Sequence, residues 1–288
     1  MRVPFRLVDV FAERPLEGNQ LCVVPEAVGG LSDDRMQAIA REIGFSETTF
    51  VTNASGDRYG MRIFTRGTEL AFAGHPTLGT AFVLVSEGRV APRATQIVEA
   101  GEFEVHVDVG GRRARMRQLA ATFGEPMADL PSIASAVGLP LDALRADVPP
   151  RFVSTGIGHL MVGAVSEDAV LAARPNADAL RQLLAGFGDV GVYLFALDGR
   201  RARARLFAPG AGVDEDPATG SAAGPLGAYC CEHGLLDPGR LIVSQGANLG
   251  RPSTLVVDTE REGDGWRPWV EGGVFVVGSG AFVLDAQE

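Results

Sequence analysis

The chain has 288 residues, of which 46% are apolar and 22% charged, and this is the composition of a globular protein rather than of a disordered one. The net charge of −10 argues against a nucleic-acid partner, because nucleic-acid recognition requires a basic surface. All 26 basic residues are Arg, so mechanisms that require a catalytic Lys are excluded.

The first part of the chain alternates strand-like and helical patterns. Ser32 is suited to cap the start of a helix and Gly44 to follow its end, so a helix is predicted between them. Pro76 is predicted to be the first residue of a second, apolar helix that ends near Glu87. Strands are predicted at residues 5–11, 20–24, 48–52, 59–65, 96–98, 103–109 and 113–119.

The second part of the chain has a similar order of elements. Residues 122–150 are rich in Pro, Ala and Asp and are interpreted as a linker that contains a short helix at 132–137. Pro217 is predicted to begin an apolar helix that ends near His233. Strands are predicted at residues 152–154, 160–165, 190–197 and 201–207, a helix at 177–185, and strands and turns in the last 45 residues.

Short motifs recur in the two parts at an offset close to half the chain length. Arg62-Ile63-Phe64 resembles Arg205-Leu206-Phe207, and His75-Pro76 resembles Asp216-Pro217. This repetition predicts two domains, 1–121 and 122–277, with a final strand, 278–288, that can return to the first. Pseudo-symmetric domains place equivalent loops across a cleft, where small molecules bind. The two helix starts would offer backbone N–H groups to an anion such as a substrate carboxylate.

Several polar residues in these motifs are candidates for chemistry. His75, after Gly74 at a helix start, could move a proton near neutral pH, or it could be a capping or packing residue. Asp216 could cap the second apolar helix, and Ser221 could turn its hydroxyl inward. Glu47 lies between two Phe residues and could be a proton shuttle with a raised pKa, although its position alone favours an exposed residue at a strand start.

Other residue types indicate the compartment and argue against a metal. The three cysteines, Cys22, Cys230 and Cys231, are odd in number and do not form a disulfide framework, so a reduced cytoplasm is expected. The four His residues lack the spacing of metal ligands, so no metal site is expected. Neither a signal peptide nor an apolar run long enough to span a membrane is found, so no membrane association is expected.

Five motifs together resemble the phenazine-biosynthesis PhzF-like isomerase family. They span most of the chain and occur in order. They are Val8-Asp9-Val10-Phe11 followed by Gly18-Asn19-Gln20; Ser46-Glu47-Thr48-Thr49-Phe50; Gly74-His75-Pro76-Thr77; Asp216-Pro217-Ala218-Thr219-Gly220-Ser221-Ala222; and Gln245-Gly246 with Gly250-Arg251-Pro252-Ser253.

The resemblance implies an α+β fold of two pseudo-symmetric, diaminopimelate-epimerase-like domains. Each would be a mixed β-sheet curled around a central helix, with the active site in the cleft between them. It also implies a homodimer and no cofactor. The implied catalytic residues are Glu47 as the general acid/base, His75 and Asp216, and the implied substrate-binding residues are Asn19, Gly74, Gly220, Ser221 and Gln245. The best-known activity of the family is isomerisation of trans-2,3-dihydro-3-hydroxyanthranilate.

Three functions remain open on this evidence. Racemases and epimerases of the same fold use two cysteines as opposed acid/base groups, and this chain has none at the matching places. Isomerisation of a small carboxylate by one general acid/base is therefore favoured. The alternatives are an epimerase or racemase of a small amino or hydroxy acid, and a non-catalytic binding protein that retains the cleft.

Overall fold

The structure is a computed structural model that describes residues 1–26, 30–188 and 190–284. The chain divides into two compact units, one of Met1–Arg117 with the residues from Glu271 onward, and one of Gln118–Val270. The last four residues of the predicted strand 278–288 lie outside the described residues. No helix of the described ranges is both long and apolar enough to cross a membrane.

Over its described residues, the first unit contains eight strands and two helices that belong to it alone. The strands are β1 (Arg2–Val10), β2 (Asn19–Val24), β3 (Glu47–Ser55), β4 (Arg58–Phe64), β5 (Glu69–Leu70), β6 (Arg93–Val98), β7 (Gly101–Asp108) and β8 (Arg113–Arg117). The helices are α1 (Asp33–Ile43) and α2 (Gly74–Ser86).

The described part of the second unit contains eight further strands and four α-helices. The strands are β9 (Thr122–Pro126), β10 (Arg151–Ser154), β11 (Gly158–Gly163), β12 (Val192–Asp198), β13 (Arg201–Ala208), β14 (Val213–Asp216), β15 (Gly239–Gln245) and β16 (Ser253–Glu262). The helices are α3 (Leu130–Val137), α4 (Glu167–Ala172), α5 (Ala177–Leu183) and α6 (Gly220–Glu232). A long strand, β17 (Gly265–Val283), has residues in both units.

The strands of each unit pair in the same pattern of directions. In the first unit β1–β2–β3–β4–β6–β7–β8 are neighbours, with β2–β3 and β4–β6 parallel and β1–β2, β3–β4, β6–β7 and β7–β8 antiparallel. Strand β17 pairs with both β8 and β1, which closes this sheet into a barrel. In the second unit β10–β11–β12–β13–β15–β16 are neighbours, with β11–β12 and β13–β15 parallel and the others antiparallel. Both sheets are therefore mixed.

The helices differ in how they are buried. Helix α1 lies on the surface, with Ser32 as its N-cap and Gly44 in the left-handed conformation at its end, which confirms both predicted boundaries. In contrast, the first eleven residues of α2 and of α6 are buried on every side. Helix α2 contacts six strands of its own unit, and α6 contacts β10, β11 and β16.

The predicted starts of the two buried helices are wrong. Helix α2 begins at Gly74, two residues before Pro76, because Pro is tolerated throughout the first turn, where its missing N–H has no intrahelical partner. Helix α6 begins only after Pro217, and Thr219, not Asp216, is its N-cap. A residue that precedes Pro is driven towards an extended backbone, so Asp216 ends strand β14 instead.

The predicted linker is also more ordered than its composition indicates. Residues 122–150 contain β9 and α3, and β9 pairs with β10. Helix α3 begins at Leu130 and packs into the apolar core of the second unit through Ile133 and Val137.

Candidate active site

Glu47 is the first residue of β3 and is held close to His75. Its side chain is only 16% exposed, and its Oε2 lies 3.4 Å from His75 Nε2. This oxygen accepts no hydrogen bond from the part of the chain that the structure describes. Burial raises the pKa of Glu47 to about 7, against a smaller lowering by Ser46. Glu47 can therefore both accept and donate a proton at neutral pH, and the expectation of an exposed residue is wrong.

His75 is the second residue of α2 and is oriented by Asn19. The Ser46 hydroxyl donates to Asn19 Oδ1 over 3.2 Å, so the amide nitrogen of Asn19 is the atom that faces the imidazole. Asn19 Nδ2 lies 3.3 Å from His75 Nδ1 and donates to it. The proton of a neutral His75 is then on Nε2, which faces Glu47. Asn19 therefore positions the His75 ring in this arrangement.

The starts of the two buried helices carry backbone N–H groups, of which that of Thr219 donates to Gln245 Oε1 over 3.3 Å. Neither Ala73, the N-cap of α2, nor Thr219, the N-cap of α6, caps its helix through a side-chain hydrogen bond. The first N–H groups of a helix have no intrahelical acceptor and carry partial positive charge. The helix starts at Gly74 and Gly220 are therefore suited to bind a carboxylate.

Asp216 lies in a hydrogen-bonded turn of the second unit. Its Oδ2 accepts a hydrogen bond from the Thr219 hydroxyl over 2.5 Å. Gln245 Nε2 donates to the Asp216 carbonyl over 2.8 Å and to Thr219 Oγ1 over 3.0 Å. Gln245 Oε1 in turn accepts from the Tyr193 hydroxyl over 3.0 Å. The Gln245 amide is thus engaged in holding the turn that carries Asp216.

Gly246 is required for the same turn. Its φ is +77°, and a Cβ atom there would lie 2.3 Å from the Arg251 carbonyl oxygen and 2.4 Å from that of Pro217. Only Gly accommodates both this backbone conformation and these close contacts. The turn that carries Asp216 therefore needs both residues of the Gln245-Gly246 motif, Gln245 for its hydrogen bonds and Gly246 for its backbone conformation.

Ser221 and Gly220 are held by two residues that the sequence analysis did not identify. Ser221 is the second residue of α6, and its Oγ lies 3.1 Å from His159 Nε2. The Gly220 carbonyl accepts from Gln118 Nε2 over 2.9 Å. The repeat could have indicated His159, since Gly158-His159 precedes a short strand as Gly18-Asn19 does, whereas Gln118 had no sequence signal.

The predicted site residues thus form one cluster in each unit. Asn19, Glu47, Gly74 and His75 meet in the first unit, and Asp216, Gly220, Ser221 and Gln245 meet in the second. Burial raises the pKa of Cys22 to about 12 and also raises that of Cys230, so neither thiol is ionised at neutral pH. Within the described ranges, no group of three or more His, Cys, Asp or Glu residues could hold a metal ion.

The raised pKa of Glu47 predicts a pH-dependent stability. Between its ordinary value of 4.5 and about 7, the native state holds a proton that the unfolded state releases, so stability falls as pH rises through this range. Glu47→Gln removes this titration. Wild type should therefore lose about 2–3 kcal/mol of unfolding free energy relative to the variant between about pH 5 and pH 8. Urea unfolding of both proteins at the two pH values measures this, and a constant difference between them would contradict the assigned burial.

Comparison with known proteins identifies the family. The family model for phenazine biosynthesis-like proteins, PhzC-PhzF, matches residues 8–280. The chain is 37% identical to trans-2,3-dihydro-3-hydroxyanthranilate isomerase of Pseudomonas chlororaphis, over 96% of this chain and 98% of the relative.

Two solved structures are similar over nearly the whole chain. The PhzF-family phenazine biosynthesis protein of Bacillus anthracis has a TM-score of 0.88 and 27% identity, and covers 99% of this chain and 100% of its own. A protein of Pseudomonas aeruginosa described as a predicted epimerase has a TM-score of 0.83 and 34% identity, and covers 98% of this chain and 99% of its own. The chain therefore belongs to the phenazine biosynthesis-like family and has the PhzF fold.

Proposed function

We propose that this protein is a cofactor-independent isomerase that moves a proton between two carbons of trans-2,3-dihydro-3-hydroxyanthranilate or a closely related small carboxylate. The observation that carries the proposal is the buried Glu47, whose pKa of about 7 suits proton transfer at neutral pH. The name of the Pseudomonas chlororaphis relative supports the substrate, and its 37% identity over nearly the full length supports the transfer of that name.

The proposed reaction conserves all atoms and leaves the enzyme unchanged. The Glu47 carboxylate takes a proton from one substrate carbon, and the electron pair of the broken C–H bond enters the conjugated system of the substrate. Protonated Glu47 then returns a proton to a different carbon, which shifts the double bonds and restores the carboxylate. His75 and Asp216 hold and polarise the substrate while Glu47 removes and returns the proton. The Nε2–H of His75 points towards Glu47.

Negative charge that develops on the substrate would be stabilised by fixed donors. The N–H groups at the starts of α2 and α6 and the Ser221 hydroxyl are dipoles that need no rearrangement during the reaction. We place the substrate carboxylate on this set of donors. Asn19 and Gln245 contribute by fixing His75 and the Asp216 turn.

Glu47 has no acidic counterpart at the equivalent position of the second unit, which favours isomerisation over racemisation with two opposed bases. The first residue of β3 that pairs with β4 is Thr48, which directly follows Glu47. The first residue of β12 that pairs with β13 is Val192, which directly follows Gly191. Gly191 therefore occupies the position in the second unit that Glu47 occupies in the first. A Cβ atom at Gly191 would lie 2.9 Å from both the Leu206 side chain and the Phe207 carbonyl, so no second acid fits there.

The finer architecture is part of this proposal. The repeated pairing pattern and the two largely buried helices support two pseudo-symmetric domains, each a mixed sheet around a central helix. The cleft between them as the place of the substrate stays a prediction from the family resemblance. The domain ranges expected from the sequence, a homodimer and a cytoplasmic location also stay predictions. Light scattering of the purified protein tests the homodimer, and the mass of a monomer would contradict it.

Incubation of the purified protein with trans-2,3-dihydro-3-hydroxyanthranilate tests the proposed function. We expect a change in absorbance together with a product of unchanged mass, since isomerisation neither adds nor removes atoms. Loss of optical activity from a small amino or hydroxy acid, without turnover of this substrate, would instead identify an epimerase or racemase. Saturable binding without turnover of either class would identify a binding protein.

A further inference from the structure

His159 is a buried titratable residue to which the proposed reaction gives no role. It lies in β11, and both of its ring nitrogens have partners within the second unit. The Gly191 backbone N–H donates to His159 Nδ1 over 3.2 Å, and His159 Nε2 lies 3.1 Å from Ser221 Oγ. The ring therefore connects the backbone at the start of β12 to the start of helix α6.

These two contacts determine where the imidazole proton lies. A backbone N–H can only donate, so Nδ1 must be the unprotonated nitrogen of the ring. The proton of the neutral ring is then on Nε2, and Nε2–H donates to Ser221 Oγ. Burial lowers the pKa of His159 to about 4, which keeps the ring neutral at physiological pH.

This donation restricts the Ser221 hydroxyl. A serine hydroxyl has one proton to donate and can accept hydrogen bonds through its lone pairs. Since His159 supplies a proton to Ser221 Oγ, the hydroxyl proton of Ser221 must point away from the ring. Ser221 is thereby prepared to donate to an acceptor such as a carboxylate.

The first unit uses the same local device. Asn19, in β2, contacts His75, the second residue of α2, just as His159, in β11, contacts Ser221, the second residue of α6. Strands β2 and β11 each pair in parallel with the next strand of their sheet. A polar side chain near the start of the equivalent strand therefore orients the second helical residue in both units.

We propose that His159 is a positioning residue that holds the Ser221 hydroxyl as a hydrogen-bond donor to the substrate carboxylate. This inference rests on the proposed function for the identity of the substrate, whereas the His159–Ser221 hydrogen bond does not depend on it. Its effect is on substrate binding, because Ser221 contacts the bound molecule and His159 acts only through Ser221.

Nitrogen NMR of the full chain tests the hydrogen bond without any substrate. In protein labelled with ¹⁵N-histidine at pH 7, the signals missing from His159→Gln identify the His159 ring. We expect a protonated Nε2 and an unprotonated Nδ1, with an altered Nε2 signal in Ser221→Ala. A protonated Nδ1, an imidazolium, or an Nε2 signal insensitive to Ser221→Ala would overturn the proposal.

Kinetics with trans-2,3-dihydro-3-hydroxyanthranilate test the role. His159→Phe, of similar size but without a donor, should raise KM about tenfold with a smaller change in kcat, and His159→Gln, whose amide can donate, should recover most of this loss. In the Ser221→Ala background, His159→Phe should change KM less than about twofold, since the two residues act as one unit. Equal effects of His159→Phe in both backgrounds would overturn the proposal.

The two tests separate this inference from the proposed function. If wild type does not turn over the substrate, the proposed function fails, and the NMR result alone decides whether His159 holds Ser221. If His159→Phe does not fold, the NMR comparison of wild type, His159→Gln and Ser221→Ala still decides whether His159 holds Ser221.

Discussion

Glu47→Gln should lower turnover of trans-2,3-dihydro-3-hydroxyanthranilate by about 10²–10⁴-fold, the usual contribution of a general acid/base. The amide has nearly the shape of the carboxyl group but cannot accept and return a proton. The substrate should still bind, because the helix starts and Ser221 are unchanged, so KM should change by less than about fivefold. Steady-state kinetics of the purified variant measure both quantities.

Glu42→Gln provides the matched control for this substitution. Glu42 lies on the exposed face of α1 and undergoes the same chemical change at a site outside the cluster around His75. Its turnover should equal that of wild type. If Glu47→Gln were as active as Glu42→Gln, Glu47 would not be the proton carrier, and the proposed mechanism would be wrong.

Arg205→Met should lower the free energy of unfolding by about 3–5 kcal/mol, because it breaks a buried ion pair. The guanidinium of Arg205 donates two hydrogen bonds of 2.8 Å to the Glu215 carboxylate. It also donates to the carbonyl oxygens of Val170 and Ala173 over 3.1 and 2.8 Å. Methionine fills a similar volume but leaves the Glu215 charge and both carbonyls without these donors. Urea unfolding followed by circular dichroism measures the loss.

Arg203→Met is the control on the same strand. Arg203 pairs with Glu167 over 2.6 Å, but that pair is much more exposed to solvent, so its removal should cost less than about 1 kcal/mol. Glu215 directly precedes Asp216 in β14, so the Arg205 pair also secures the turn that carries Asp216. Equal destabilisation by the two substitutions would show that burial does not determine the strength of the Arg205 pair.

Local signals in the sequence were sufficient where a structural feature depends on nearby residues alone. Ser32 and Gly44 correctly predicted the limits of α1, because capping requires only the adjacent turn of backbone. The predicted helix starts at Pro76 and Pro217 were wrong for α2 and α6. A Pro can lie within the first turn of a helix or follow an extended residue before the helix begins, so it does not identify the first helical residue. Strands β5, β9 and β14 were missed because their pairing partners, rather than their own composition, make them strands.

The candidate site could be predicted only in part. The resemblance supplied Glu47 and His75, but their 3.4 Å approach depends on how β3 and α2 pack, which no short motif encodes. Position alone favoured an exposed Glu47, since its burial comes from residues distant in sequence. His159 and Gln118 were missed for the same reason, because each acts through a contact with the start of α6 that lies far along the chain.

Isomerisation in deuterated water is the most direct test of proton transfer by Glu47. The product of trans-2,3-dihydro-3-hydroxyanthranilate should be analysed by mass spectrometry and proton NMR, for wild type and for Glu47→Gln. If Glu47 carries the proton, all solvent deuterium in the carbon skeleton of the wild-type product should lie at the single carbon that gains a proton, and the variant should form almost no product. Product formed equally fast by the variant, or deuterium at several carbons, would contradict a mechanism with Glu47 as the one proton carrier.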